Sequence, residues 1–412
     1  MSMKVFKGKF TQQESIPESA IAQAIEVMRS GRLHRYNVVE DEVSETSLLE
    51  TEFARYQGAK YCLACASGGY AMQVALASSG IRHGEPVLTN AFTLSPVPGA
   101  IYNAGGHPVL VETTDQLVID LDDLKSKIDS SGSRVLLLSH MRGHIADMDK
   151  LCDLLQRKKV SLIEDCAHTM GAKWNGQVSG SFGLAACFSS QTYKHINSGE
   201  GGFLTTNDPD LMARAVIRSG SYMLYGQHKA APDQEAFVDV RLDNPNCSGR
   251  MDNLRAAILR PQLKMLNDNR VRWNERYQLL EAQLSVVAGV TLPTRPDAEE
   301  YVGSSIQFFL NQMTARQIQA VISRCRTRGV ELKWFGSKEP TGYTSRHDSW
   351  RYLDRQSLPR SDAVLAKLLD MRVPLTFTLG DCRLIAEIIA DSVGEVATEN
   401  DSPEYQKTAV RA

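Results

Sequence analysis

The stretch Tyr61-Cys-Leu-Ala-Cys-Ala66-Ser67-Gly68-Gly69-Tyr70-Ala-Met-Gln-Val-Ala-Leu-Ala77 changes character at its centre. Tyr61 to Ala66 reads as a short buried strand, Ser67-Gly68-Gly69 as a break, and the residues from Tyr70 as a helix ending near Gly80. Upstream, Leu48, Leu49, Phe53 and Tyr56 recur at helical spacing, and Ser47-Leu-Leu-Glu50 predicts a capping box at the start of that helix. Downstream, short apolar runs follow at 86–88, 108–111, 134–139, 160–163 and 185–189, with helical patterns between several of them, including 121–128 and 147–157. This alternation predicts an α/β fold whose largely parallel sheet is covered on both faces. Function in such sheets gathers at the carboxyl ends of the strands. Ser67–Gly69, Phe92, His140, Asp165 and Ser189 all lie at or just past such ends.

At 412 residues with 42% apolar content, the chain predicts two domains rather than one core. From Asn253 the pattern becomes long amphipathic helices, with a kink expected at Pro261. A strand near 304–310, a helix over 315–329 and a last helix over 379–393 predict a smaller C-terminal α/β domain. The expected division is an N-terminal segment at 1–46, a large αβα domain at 47–252, and bridging helices with the small domain at 253–394. A polar tail at 395–412 lacks periodicity and is expected to be disordered.

Lys and Arg number 46 against 48 acidic residues, a formal charge of −2, which gives no support to nucleic-acid binding. The N-terminus lacks the apolar core of a signal peptide, and no apolar run approaches the ~18 residues that span a bilayer. A soluble, cytoplasmic protein with no membrane partner is expected. The eight cysteines do not predict a disulfide scaffold. Cys62-Leu-Ala-Cys65 has CxxC spacing but lies in a strand, with no second pair at zinc-ribbon distance, so core packing is the expected role.

Two stretches carry chemistry. One is Phe188-Ser189-Ser190-Gln-Thr-Tyr-Lys194-His195-Ile-Asn-Ser-Gly199-Glu-Gly-Gly202; the other is Glu164-Asp165-Cys-Ala-His168, which closes the run 160–163. A lysine amine forms a Schiff base with an aldehyde, and a carboxylate holds a protonated ring nitrogen. Taken singly, Lys194 fits a surface lysine and Asp165 a strand-end turn. Ser67-Gly68-Gly69 at a helix start offers free N–H groups and the positive end of the helix dipole to a phosphate. Ser189 is placed to add a hydroxyl, Phe92 to stack on a flat ring, and His168 to reach the ring oxygen or orient the carboxylate. Gly199-Glu-Gly-Gly202 lacks GxGxxG spacing and does not predict a dinucleotide site. His140 and His144 fall in a loop, so no metal site is expected there, and His140 is expected to line the pocket. Arg142 and Arg250 are candidates for a donor carboxylate or for structural ion pairs. The aromatic residues of Trp334-Phe335-Gly336 and Trp350-Arg-Tyr352 fit either a substrate wall or core.

In these motifs the chain resembles the DegT/DnrJ/StrS family of sugar aminotransferases, within the fold-type I pyridoxal phosphate-dependent transferases. The resemblance runs from about Ser47 to Val393. It is carried by Glu164 to Gly171, Gly180-Ser-Phe-Gly183, Phe188 to Gly202, Ala146-Asp-Met-Asp149 and Arg250-Met-Asp-Asn-Leu-Arg-Ala-Ala257. It implies pyridoxal 5′-phosphate as cofactor, Lys194 as the Schiff-base lysine, Asp165 on the ring nitrogen and His168 beside the cofactor. It also implies Gly68, Gly69 and Ser189 on the phosphate, Phe92 in the stacking position, and a homodimer with shared active sites. Ser248 stands where the family has an asparagine that reaches the partner subunit's phosphate. The family's Ser-Gly-Thr turn is Ser67-Gly68-Gly69 here, and Ser190 replaces an aromatic residue. Retention of Lys194 argues against the family's dehydratase branch, where histidine takes the lysine's place; the register favours Lys194 over the adjacent His195.

The implied activity is transfer of an amino group from glutamate or glutamine to a small-molecule keto or aldehyde sugar, free or nucleotide-linked, or to a cyclitol. The open alternative is a pyridoxal phosphate enzyme of another reaction type, namely elimination, carbon–carbon bond formation or decarboxylation on an amino acid. A non-catalytic binding protein on the same fold has no need of both Lys194 and Asp165.

Overall fold

The computed structural model describes residues 3–400. The chain forms two compact units. The large unit comprises Ser15–Asn269 and Pro296–Val302; the small unit comprises the residues up to Glu14, Arg270–Arg295 and the residues from Gly303 onward.

The strands are β1 Tyr61–Cys65, β2 Pro86–Asn90, β3 His107–Val111, β4 Val135–Ser139, β5 Ser161–Asp165, β6 Lys173–Trp174, β7 Gln177–Val178, β8 Ala185–Ser189, β9 Gly202–Thr206, β10 Glu299–Glu300, β11 Ser305–Phe309, β12 Lys333–Trp334 and β13 Leu368–Arg372. The helices are α1 Glu18–Ser30, α2 Glu45–Gln57, α3 Gly68–Ser78, α4 Pro96–Asn103, α5 Leu121–Ser131, α6 Met148–Lys158, α7 Pro209–Arg218, α8 Asn253–Leu284, α9 Ala315–Thr327, α10 Pro359–Leu365 and α11 Leu379–Asn400.

Seven strands form the central sheet of the large unit, in the order β1-β9-β8-β5-β4-β2-β3. The pairs β2·β3, β2·β4, β4·β5 and β5·β8 are parallel, as the alternation predicts. β9 runs antiparallel between β1 and β8. No strand was expected there, because Gly202-Phe-Leu-Thr-Thr206 is short and opens on glycines. Insertion between two strands buries all five residues, so tertiary pairing overrides weak local propensity.

The strands are apolar on both faces because both faces are covered. Leu63 and Cys65 pack with Ala71, Val74 and Ala75 of α3 and Val216 of α7. Cys62 and Ala64, pointing the other way, pack with Leu49 and Phe53 of α2 and Leu259 and Leu263 of α8. Phe53 stacks on Phe203 with ring centroids 4.1 Å apart. Both cysteines of the CxxC are buried and free, and burial pushes their thiols well up.

The expected capping box at Ser47 is not formed. α2 starts earlier, with Ser44 as its cap accepting the Ser47 N–H at 3.2 Å. Ser47 Oγ instead donates to the Gln227 carbonyl at 3.0 Å. Glu50 turns inward to a buried, bidentate pair with Arg35 at 2.7 and 2.8 Å. α8 continues through Pro261 as one helix.

In the small unit, β11, β13 and β12 form an antiparallel sheet with β13 central. α9 begins with a complete capping box between Thr314 and Gln317 and packs on α11. Trp350 and Phe335 are buried, and the indole N–H groups of Trp334 and Trp350 donate to the Ala366 carbonyl and Ser345 Oγ. The tail expected from residue 395 starts as helix. Val396 is buried, and Arg328 and Arg324 reach Glu395 and Glu399 at 2.5 Å. Residues 401–412 of that tail lie outside the described residues.

Candidate active site at the carboxyl edge of the large sheet

β1, β2, β4, β5 and β8 all end on one edge of the sheet, and antiparallel β9 begins there. Asp165 is the last residue of β5. Its Oδ1 accepts the Ala167 N–H at 3.1 Å, and its Oδ2 accepts the Ser139 hydroxyl at 2.8 Å from the end of β4. Asn90, ending β2, ties this edge together. Its Nδ2 donates to the carbonyls of Phe92 and Ser139, and its Oδ1 accepts the Ser139 N–H. Ser139 and Asn90 escape a reading by motif; the available signal is a polar residue closing each apolar run.

Glu164, facing away from Asp165 on β5, has a structural task. Its buried carboxylate accepts N–H groups from Gly180, Phe182 and Gly183 at 2.9 to 3.1 Å, and meets His140 Nε2 at 3.1 Å. That accounts for the spacing of Gly180-Ser-Phe-Gly183. It also places His140, expected to line a pocket, in the protein interior at 1% exposure. His140, Glu164 and Cys166 converge closely enough to suggest a metal. The carboxylate is already occupied by amides, however, and burial pushes the Cys166 thiol well up, away from the thiolate a metal requires.

Lys194 lies on the loop joining β8 to β9. Its Nζ stands 3.0 Å from His168 Nε2, three residues beyond Asp165. Two distant stretches of sequence thereby meet at one point. His195 is buried; burial first, and the neighbouring Lys194 charge second, hold its imidazole down to about 3. It is therefore neutral at ordinary pH and bonds to the Met170 backbone, while Lys194 beside it is half-buried.

Ser67 caps α3, its Oγ accepting the Tyr70 N–H at 3.1 Å. The amides of Gly68 and Gly69, at the first two helical positions, have no carbonyl one turn back. A Cβ on Gly68 would lie 2.9 Å from Ser189 Cβ, and one on Gly202 only 2.5 Å from the Gly68 nitrogen. α3, β8 and β9 thus bring their backbones close together around the N-terminus of α3, with Ser189 at its side. A phosphate dianion fits that chemistry. At Gly69 the nearest atom to an added Cβ is 3.7 Å away, so the glycine is not sterically required.

Phe92 is 1% exposed, with its ring enclosed by protein, while Leu94 two residues on is half-buried. Ser248 is exposed at a positive φ of 48°, and its Oγ lies 3.4 Å from Arg250 Nη1. Arg250 Nη1 donates to the Gly220 carbonyl at 2.6 Å. Arg142 is buried at φ 56°.

The mostly parallel sheet, the strand-end carboxylate, the loop lysine and the glycine-rich helix start define an α/β protein whose polar residues gather at one edge of the large sheet. Residues 14–389 match the DegT/DnrJ/EryC1/StrS aminotransferase family, and the chain belongs to it. Pyridoxal phosphate is the cofactor of that family. The dTDP-3-amino-3,4,6-trideoxy-alpha-D-glucose transaminase of Micromonospora megalomicea subsp. nigra is 32% identical over 61% of this chain and 66% of its own length. GDP-perosamine synthase of Caulobacter vibrioides is 32% identical over 53% of this chain and 56% of its own. The matched part thus spans just under two thirds of the first relative and little over half of the second. Among solved structures, the aminotransferase TlmJ from Streptoalloteichus hindustanus superposes with a TM-score of 0.80 over 96% of this chain and all of that one, at 20% identity. Helicobacter pylori PseC superposes with a TM-score of 0.81 over 95% of this chain, at 15% identity. At those identities the likeness is one of fold.

Proposed function

We propose that the protein is a pyridoxal phosphate-dependent aminotransferase that moves an amino group from glutamate or glutamine to a keto or aldehyde sugar, nucleotide-linked in one form of the reading, or to a cyclitol. The observation that carries it is the delivery of the Lys194 amine to the end of the strand bearing Asp165. Relatives named for amino-sugar and cyclitol transamination favour this over elimination, carbon–carbon bond formation or decarboxylation on an amino acid.

When bound, the cofactor supplies an electron-withdrawing pyridinium that stabilises negative charge on the carbon bearing the amine. Asp165, oriented by Ser139 and the Ala167 amide, is the residue to pair with the ring nitrogen's proton. The Gly68 and Gly69 amides with Ser189 are the donors for the phosphate. Lys194 anchors the cofactor and, once its amine is released, moves the proton at the reacting carbon as general acid and base. His168, within hydrogen-bond reach of Nζ, orients that amine. Phe92, which the resemblance puts on the ring face, is enclosed by protein and supports the bend that follows β2.

The working form is a homodimer in the cytoplasm, with Ser248 on an exposed turn reaching the phosphate site of a second copy. Among the described residues no helix is long and apolar enough to cross a membrane. Sedimentation as a monomer would remove the shared-site part of this reading.

The test is spectroscopic. Protein mixed with pyridoxal phosphate is expected to gain a visible band that Lys194→Ala lacks. Glutamate or glutamine should bleach the band, and a keto sugar nucleotide or keto cyclitol should restore it. A band that persists in Lys194→Ala, or one that no amino donor alters, would sink the proposal.

A further inference from the structure

We infer that Gln262, on the first part of α8, is a positioning residue for Lys194 that acts by clamping the backbone of Asn197. The inference rests on the reading of Lys194 as the lysine that anchors the cofactor.

The loop over 190–201 is tied near its base. The Ser190 N–H donates to the Gly201 carbonyl at 2.9 Å, Ser198 N–H to the Ser190 carbonyl at 3.0 Å, and Thr192 N–H to the Gly199 carbonyl at 3.1 Å. Lys194 N–H donates to the Gln191 carbonyl at 2.8 Å, and Tyr193 N–H to Gln191 Oε1 at 3.0 Å. These bonds fix the lysine relative to its own loop. They do not fix the loop relative to Asp165.

His195, next to the lysine, ties the loop to the Met170 backbone, and the segment just after it adds a second tie, to α8. Ile196 packs in one apolar cluster with Leu259 and Leu263 of α8. Such contact is non-directional and tolerates sliding. Asn197 adds direction, because a single side chain satisfies both of its backbone polar groups. Gln262 Oε1 accepts the Asn197 N–H at 2.9 Å, and Gln262 Nε2 donates to the Asn197 carbonyl at 2.8 Å. Two antiparallel bonds close a ring and so fix rotation as well as distance. Gln262 Nε2 also donates to the Ile258 carbonyl at 2.8 Å, one turn earlier, which sets the amide's orientation from its own helix.

The consequence is chemical because a lysine's reach is set by where its Cα stands. An ångström of displacement of a reacting group costs on the order of a hundredfold in rate. Glutamine has the length, the donor and the acceptor together. Methionine has the length and bulk alone, so Gln262→Met separates the clamp from mere packing.

The experiment uses the full chain with pyridoxal phosphate. Borohydride reduction at timed intervals, read by peptide mass spectrometry at Lys194, gives the rate of covalent attachment. Amide hydrogen exchange at Asn197 is followed in the same proteins without cofactor. Wild type is expected to protect the Asn197 amide and to be labelled at Lys194. Gln262→Met should lose that protection and be labelled about tenfold more slowly or worse.

An unprotected Asn197 amide in the wild type overturns the inference whatever the variant does. So does Gln262→Met labelled at the wild-type rate, with Lys194 normally labelled in the wild type; that result leaves the reading of Lys194 standing. No label at Lys194 in the wild type removes that reading, and this inference with it.

Discussion

Gly69 and Gly202 have the same side chain and opposite tolerances. A Cβ at Gly202 meets the Gly68 nitrogen and the Ser67 carbonyl group at 2.5 to 2.6 Å, whereas one at Gly69 meets nothing nearer than 3.7 Å. Gly202→Ala is therefore expected to push α3 away from β9, lowering stability by about 1–3 kcal/mol and weakening cofactor binding. Gly69→Thr, which restores the family's usual turn, should fold normally and bind pyridoxal phosphate at least as tightly. Fluorescence titration and urea unfolding of both variants check this; a Gly202→Ala protein with unchanged affinity and midpoint contradicts this packing. The sequence marked both glycines as part of turns. Which one is obligatory depends on the antiparallel insertion of β9, which no local pattern announced.

Among the elements, α2 shows how local signals compete. Ser44 and Ser47 precede the same apolar pattern, and both have capping chemistry. Ser44 wins because Glu50, the required partner of a Ser47 box, lies in the core on Arg35 and accepts the Ala64 N–H of β1 at 2.9 Å. Ser44→Ala is expected to lower unfolding free energy by about 1 kcal/mol through loss of the cap, measurable as a shift in urea midpoint at constant m. The short parallel strands and most helices are legible from sequence because their apolar runs and periods agree with their final burial. α1 does carry helical spacing at Ile21, Ala24, Ile25 and Met28 and a closing Gly31, which the sequence reading passes over, whereas β9 is short on such signals and is held by the strands on either side. The Glu164 lock is illegible for a related reason. Only in three dimensions do Gly180, Phe182 and Gly183 present their amides to a carboxylate on a neighbouring strand.

For the molecule as a whole, buried histidines set an acid limit. His228 is held down to about 4, by burial first and the Arg35 charge second, and His195 to about 3. Unfolded, each titrates at its ordinary 6.5, so between pH 6.5 and 4 the unfolded chain binds protons that the folded one refuses. Stability is full above pH 6.5 and falls as pH drops, by roughly 3 kcal/mol per histidine at the low end. Although burial disfavours its charge, Glu50 is held by Arg35 and His228 down to about 2, and it adds a further loss below pH 4.5. Thermal melting across pH 4 to 8 is expected to show this slope, and His228→Gln to flatten it. A wild-type midpoint independent of pH across that range contradicts the buried network.

The sequence by itself determined the alternation of strand and helix, the sheet edge at which Asp165 and Ser189 end their strands, and the two stretches holding Lys194 and Asp165. These follow from periodicity, from side-chain chemistry, and from the rule that strand ends are where parallel sheets expose function. Only the tertiary structure decided that Lys194 meets His168, that Ser139 and Asn90 orient Asp165, that Phe92 is enclosed, and that Gln262 holds the lysine's loop. Each of those contacts joins residues on different strands, turns or helices. Their partners are selected by packing, which a one-dimensional pattern does not encode.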